Sequence, residues 1–254
     1  MSSGEPPRTA ALDTSERRAI TVELAGIPGA GKSQLARLLS TELVARGHVV
    51  AQPTLSVSPS IALVRRLIRK GVATGTATLR RPVASSQVAI GIVRSHQARA
   101  ADALGRFVQW QLAQHHLCDA RQRQGVRILD EAVFQCLWSI GLRGDAQPVL
   151  AALSGSITWC PPDLLVVVRA SPEVADSRLR ARASRHSRTQ RLATDARLAE
   201  LRHGEQLLDH LLEWWSALGA RGCGVVEFGP VESADGMLDQ LLPRIEAAAR
   251  RGTY

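Results

Sequence analysis

Lysine is nearly missing from this chain: Lys32 and Lys70 are the only two in 254 residues, although basic residues number 32 against 23 acidic ones. Arginine supplies the rest and is spread along the chain. The net charge of +9 and the pI near 10.7 therefore read first as the bias of a GC-rich genome and only then as a nucleic-acid footprint. Cysteine is scarce as well. Cys118, Cys136, Cys160 and Cys223 lie far apart in sequence, with no CxxC pair and no Cys/His spacing of a zinc site, so reduced structural thiols are expected. No apolar run reaches membrane-spanning length, and the opening segment MSSGEPPRTAALDTSERR lacks the apolar stretch of a signal peptide. The expectation is a cytoplasmic protein with no membrane association and a disordered tail over residues 1–18. No fixed-period repeat and no guanine-reading NKxD motif occurs.

What is present is globular. Hydrophobic residues at 45% and charged residues at 22% are ordinary values, and the length suits one α/β domain over residues 19–254. Five short apolar runs read as buried parallel strands: Ile20 to Ala25, His48 to Ala51, Val126 to Leu129, Leu164 to Val168 and Val225 to Phe228. Helical stretches separate them, which implies a five-stranded parallel sheet with helices on both faces and ligands at the carboxyl ends of the strands. The first helix should run to about Arg46, burying Leu35, Leu38, Leu39 and Leu43 before Gly47 ends it. Glu23 breaks the pattern, because a carboxylate in a central strand needs a partner or an exposed face. More than seventy residues separate the second and third strands. They must be mostly helical, with helices near Ile61 to Lys70, Ala84 to Ala103 and Arg106 to Arg123 and a mobile break over Gly71 to Pro82. Leu198, Leu201, Leu208, Leu211, Trp215 and Leu218 follow one helical face, which makes Trp215 core.

Gly26-Ile27-Pro28-Gly29-Ala30-Gly31-Lys32-Ser33 matches GxxxxGK[ST] between an apolar strand and an amphipathic helix, the context that gives this P-loop motif its meaning. Its glycines let successive backbone N–H groups turn toward phosphate oxygens, and the helix N-terminus adds partial positive charge. Gly26 through Gln34 are the candidate nucleotide-binding residues. Lys32 should reach the β- and γ-phosphates, and the Ser33 hydroxyl should take a place on Mg²⁺. In a chain that uses arginine nearly everywhere, a lysine here points to a need for a compact ammonium.

The run Val126 to Leu129 ends in Asp130 and Glu131, a Walker B arrangement in which Asp130 would hold Mg²⁺ or accept a proton and Glu131 would polarise a water or orient an acceptor. A helix N-cap with an acidic first turn fits the same pair. After the fourth strand, Ser171-Pro172-Glu173 reads as N-cap, first helical residue and acidic first turn. Arg178, Arg182 and Arg185 then share one helical face ahead of RHSRTQR, and a lid over residues 183–195 could close on phosphates. A solvated basic face is the competing reading. Arg106, Trp110 and Gln114 recur every four residues and could offer a planar ligand a cation, a ring and an amide, with Gln135 as a further acceptor contact, unless Trp110 is ordinary packing.

The P-loop, the acidic strand end and PDLLVVVRASPEVADSRLRAR from Pro162 to Arg182 together resemble the nucleoside and nucleotide kinases of the P-loop class, thymidylate kinase especially, over residues 20–52 and 125–230. The resemblance implies that Arg178 and Arg182 contact the donor nucleotide at the lid edge and that Gly229 to Ser233 borders the adenine. The sequence departs from that family in reading QPTLSVSPS after the second strand and Asp-Glu where thymidylate kinases have Asp-Arg, so a dTMP-like acceptor is disfavoured. The leading expectation is an ATP- and Mg²⁺-dependent kinase acting on a nucleoside, nucleotide or specialised metabolite, with residues 53–124 as an acceptor-binding insertion. A homodimer is compatible with it. The alternatives are an ATP- or GTP-hydrolysing switch or motor subunit using Glu131, and a nucleic-acid binder using Arg65, Arg66, Arg69, Lys70, Arg80 and Arg81.

Overall fold

Runs rich in Val, Ile and Leu become the strands of one parallel sheet in the computed structural model, which describes residues 19–53, 74–75, 78–155, 159–182, 189–218, 222–230 and 232–251. The strands are β1 (Ile20–Ala25), β2 (Val50–Ala51), β3 (Val126–Leu129), β4 (Leu164–Val168) and β5 (Gly224–Phe228), in the order β2-β3-β1-β4-β5. All pairings are parallel, with Val22 opposite Ile128 on one side and Leu164 on the other. Every residue of β1, β3 and β4 is buried, as expected of strands covered on both faces, whereas the edge strands β2 and β5 are only partly buried. The second strand is shorter than the sequence pattern implies, because His48 and Val49 precede its pairing with β3.

The helices cover both faces: α1 (Lys32–Ala45), α2 (Pro82–Arg94), α3 (Ala100–Ala120), α4 (Val133–Gly141), α5 (Gln147–Gly155), α6 (Pro172–Ala181), α7 (Thr194–Ala217) and α8 (Ala234–Arg251). In α1 the residues Leu35, Leu39 and Leu43 are buried as expected, but Leu38 is 36% exposed, so the buried stripe is narrower than four leucines. Gly47 then takes a left-handed φ of 83° and turns the chain toward β2.

Two helices stand where the pattern places a boundary near residues 103–106, but the break falls at 95–99. Tertiary bonds fix it there. The Ser95 carbonyl accepts from Asp145 N–H at 2.8 Å, the Gln97 amide donates to the Ile140 carbonyl at 3.1 Å, and His96 adopts a φ of 54°. A Cβ on Gly105 would meet nothing within 4 Å, and the residue is carried inside α3. The expected helix at Ile61 to Lys70, the disordered tail, residues 71–73 and 76–77 of the Gly71 to Pro82 break, and Arg65, Arg66, Arg69 and Lys70 lie outside the described residues, while residues 74–75 and 78–80 of that break are helical.

α4 is apolar nearly all round and buried at eight of its nine positions, which makes it a core helix between sheet and α7. Trp215 of α7 meets Phe134 at 5.5 Å and Trp159 at 5.6 Å between ring centroids, so its expected core role holds. Trp138 donates its indole N–H to the Gly204 carbonyl at 2.7 Å and packs where a Cβ on Gly204 would stand. Among the described residues no helix is long and apolar enough to cross a membrane.

Candidate functional site

The GxxxxGKS segment leaves the carboxyl end of β1 and becomes the first turn of α1. Packing dictates its glycines. A Cβ on Gly26 would lie 2.3 Å from the Val168 carbonyl oxygen at the end of β4, and one on Gly29, whose φ is 91°, would lie 2.5 Å from that of Ala175 in α6. The loop is thus wedged between β4 and α6. Ala30 N–H turns back to the Ile27 carbonyl at 3.2 Å, whereas among the described residues no carbonyl accepts from the N–H groups of Gly29, Gly31, Lys32 or Ser33. Those donors, at the N-terminus of a 14-residue helix, point the way an anion-binding cradle requires.

The Lys32 ammonium donates to the carbonyls of Gly26 at 2.6 Å and Ile27 at 3.1 Å, folding over the loop. Burial draws its pKa down to about 8, against the pull of Glu131 and Asp130, while Arg182 adds to the lowering. Both carboxylates and Arg182 therefore act on the charge of the ammonium. Asp130 is half-buried, with Oδ1 enclosed and unpartnered among the described residues, and Glu131 is exposed. Neither caps α4, whose N-cap is Ala132 with no side-chain bond and whose first turn holds no acid. The capping alternative for the pair therefore does not describe this helix.

Glu23 does that work instead. Fully buried in β1, it aims Oε1 at the start of α4 and accepts from Gln135 N–H at 2.9 Å. Burial pushes its pKa up to about 8 although the backbone N–H groups of Gln135, Phe134, Ala132 and Val133 oppose the rise. A neutral acid beneath the loop keeps negative charge away from a cradle for anions. Gln135, expected to touch an acceptor, uses its amide oxygen to accept from Gly26 N–H at 3.2 Å. The chain Glu23, Gln135, Gly26 ties β1, α4 and the loop together, a link with no local signature in the residues around it.

On the other side, Ser171 caps α6 by accepting from Val174 N–H at 3.3 Å, with Pro172 next, as the sequence pattern requires. Arg178 reaches from α6 to the loop and donates to the Ala30 carbonyl at 3.0 Å. The helix stops at Ala181, however, and Arg182 is already extended with ψ of 130°, so Arg178 and Arg182 do not share a helical face. Arg185 lies outside the described residues. The chain on either side of 183–188 is anchored: Asp176 pairs with Arg197 of α7 and with Arg180 at 3.0 Å, and the Gln190 amide donates to the Leu179 carbonyl at 3.2 Å.

The expected acceptor face on α3 does not form. Trp110 is 2% exposed and packs against Trp159. Gln114 is spent on the backbone of Cys160, donating to its carbonyl at 3.1 Å and accepting from its N–H at 2.7 Å. These two are corrected to core residues, because the i, i+4 face of α3 turns inward. Arg106 alone keeps polar capacity: it donates to Gln109 at 2.8 Å and its buried Nε has no partner among the described residues. Among the described residues no group of three or more His, Cys, Asp or Glu gathers for a metal.

No protein-family model and no curated protein matches the sequence. Solved structures do share its architecture. The thymidylate kinase of Candida albicans superposes with a TM-score of 0.54 at 17% identity, over 94% of this chain and 96% of that one. The deoxyadenosine kinase of M. mycoides with bound dATP gives 0.50 at 11% identity, over 89% and 99%. At such identities what is shared is the fold: a five-stranded parallel sheet in the order 2-3-1-4-5.

Proposed function

We propose that the chain is a kinase that moves the γ-phosphoryl group of ATP to a small-molecule acceptor. The observation that carries this reading is the convergence of Lys32, Asp130, Glu131 and the arginines Arg178 and Arg182 on one glycine loop whose N–H groups at Gly29, Gly31, Lys32 and Ser33 have no carbonyl partner among the described residues. The N–H cradle binds the triphosphate, and Lys32 exchanges the carbonyls of Gly26 and Ile27 for phosphate oxygens. Arg178 and Arg182 offset the charge that builds on the transferring group. An acceptor hydroxyl loses its proton to Asp130 or Glu131 as its oxygen attacks, and ADP leaves.

The residues also fit Mg²⁺: the Ser33 hydroxyl stands at the start of α1, and the enclosed, unpartnered Asp130 Oδ1 is a hard oxygen in need of a cation or donor. Bound there, the ion supplies neutralisation of the triphosphate. The fold shared with a dATP-holding deoxyadenosine kinase supports a nucleotide in this cleft.

Incubating the protein with ATP, Mg²⁺ and a metabolite library, while reading ADP and product mass together, tests the assignment. Transfer gives ADP matched by a product heavier by one phosphoryl group. The exposure of Glu131 beside Lys32 favours one competing reading, hydrolysis, which would give ADP with no phosphorylated product and would be lost in Glu131→Gln. Lys32→Ala should abolish ADP formation with the circular dichroism unchanged. Retained turnover in that variant would sink both readings.

A further inference from the structure

The amino ends of the strands carry a second polar cavity, on the opposite end of the sheet from the phosphate loop. Its position follows from chain direction. The C-terminus of α3 leads through Arg121 and Gly125 into the amino end of β3, and Cys160 precedes β4 by four residues, whereas the glycine loop and Asp130 stand at carboxyl ends. The cavity measures about 500 Å³ and is lined by Arg80, Arg81, His115, Cys118, Arg121 and glutamines 114 and 122. At its wall the Sγ atoms of Cys118 and Cys160 are 2.8 Å apart, inside van der Waals contact, and either can donate to the other.

We propose that Cys118 and Cys160 form a reactive thiol pair and that this cavity takes an anionic disulfide of low molecular weight, which the pair reduces as it closes into a disulfide. Charge, reach and reactivity each support it. Arginines 80, 81 and 121 present cationic donors, and among the described residues no carboxylate lines the cavity, so the lining favours anions. Cys118 is half-buried on the cavity wall, and the fully buried Cys160 is held in place through both its N–H and its carbonyl by Gln114. The contact between the two thiols, with Arg121 and Arg81 beside it, draws Cys160 down to about 6 against burial and pushes Cys118 up. Burial pushes Cys136 and Cys223 up to about 12, which makes them internal controls.

The chemistry balances. Once the Cys118 thiol has given up its proton beside Arg81 and Arg121, its sulfur attacks one sulfur of the reagent disulfide, that S–S bond breaks, and the first thiolate leaves. Cys160 then gives up its proton and attacks the Cys118 sulfur, expelling the second thiolate. Two protein thiols are oxidised, one disulfide is reduced to two small thiols, and the two protons end on them.

The test uses the reduced full chain with glutathione disulfide, which is anionic, and cystamine, which is cationic. Each rate is taken relative to the same reagent's reaction with free cysteine, and products are mapped by intact mass and peptide digestion. The expected result is a Cys118–Cys160 disulfide with Cys136 and Cys223 unmodified, formed at least about tenfold faster with the anionic reagent. That preference should shrink with added salt in the unaltered chain and in Arg121→Ala, and Cys160→Ser should stop at a mixed disulfide on Cys118. Absence of the Cys118–Cys160 disulfide, or equal relative rates for the two reagents, would overturn the proposal.

Discussion

Replacing Glu23 by glutamine tests the reasoning about the buried acid most directly. In the folded protein its pKa is raised from 4.5 to about 8, chiefly by burial. The folded state therefore holds a proton that the unfolded chain has released. The sign follows: stability from this group is complete below the unfolded value and is lost as pH rises through the folded one. One such group changes the free energy of unfolding by about 1.4 kcal/mol per pH unit inside the window, so raising pH from 6 to 8 should cost the native protein roughly 2 kcal/mol.

Glutamine keeps an oxygen for the Gln135 N–H and places an amide where Oε2 already lies buried without a partner, so it mimics the protonated acid at every pH. Urea unfolding followed by circular dichroism at pH 6 and pH 8 on both proteins reads the effect. The stability of Glu23→Gln relative to the parent should be higher at pH 8 than at pH 6 by roughly 2 kcal/mol. The lowered pKa of Lys32, also about 8, has the opposite sign and acts mainly above pH 8, and being present in both proteins it cancels in the difference. An identical difference at the two pH values would show that Glu23 titrates alike in folded and unfolded chains, and the argument would fail.

Three further outcomes follow from the same geometry. Because burial lowers Lys32 to about 8, binding of ATP, measured by calorimetry, should weaken as pH rises above that value, and an affinity flat to pH 10 would contradict the assigned role of the ammonium. Gly29→Ala combines a left-handed φ with a Cβ 2.5 Å from a backbone oxygen, so it should cost about 1–3 kcal/mol in urea melts and also loosen ATP by moving α6. Gln114→Leu strips two buried backbone partners and should cost about 2–4 kcal/mol while leaving turnover per folded molecule unchanged; a raised acceptor KM with undiminished stability would restore Gln114 to the acceptor site.

What could be read from the sequence was what local rules govern. The strands β1, β3 and β4 are apolar runs whose ends match the structure, because burial on both faces leaves no alternation to blur them. The glycine loop is legible since its conformation, its donors and its lysine all lie within eight residues. Glu23 is a counter-example: its partner, the amide of Gln135, is 112 residues away, and no spacing rule connects a strand carboxylate to a helix that the chain reaches only after β3. Trp110 and Gln114 misled for a related reason. Helical periodicity says which residues share a face and is silent on whether that face meets solvent or, as here, Trp159 and Cys160.

The lid edge shows both limits at once. The Ser171-Pro172 cap sets the start of α6, and with the start fixed, Ala175 and Arg178 fall three residues apart on the face that meets the loop. Ala175 forbids a side chain at Gly29, and Arg178 bonds the carbonyl of Ala30, so one helical phase explains both a glycine of the P-loop and an arginine of the lid. The next position in that phase, Arg182, was expected to continue the row. It leaves the helix, extended with ψ of 130°, while Asp176 pairs with Arg180 in α6 and Arg197 in α7 and holds the last turns of α6 to its neighbour. Arg178 is consequently fixed to the loop, while Arg182 belongs to the segment that follows. A lid arginine that responds to ATP should therefore be Arg182, and protection of the 178–182 peptide in hydrogen exchange should increase on ATP binding at its C-terminal end and not at Arg178.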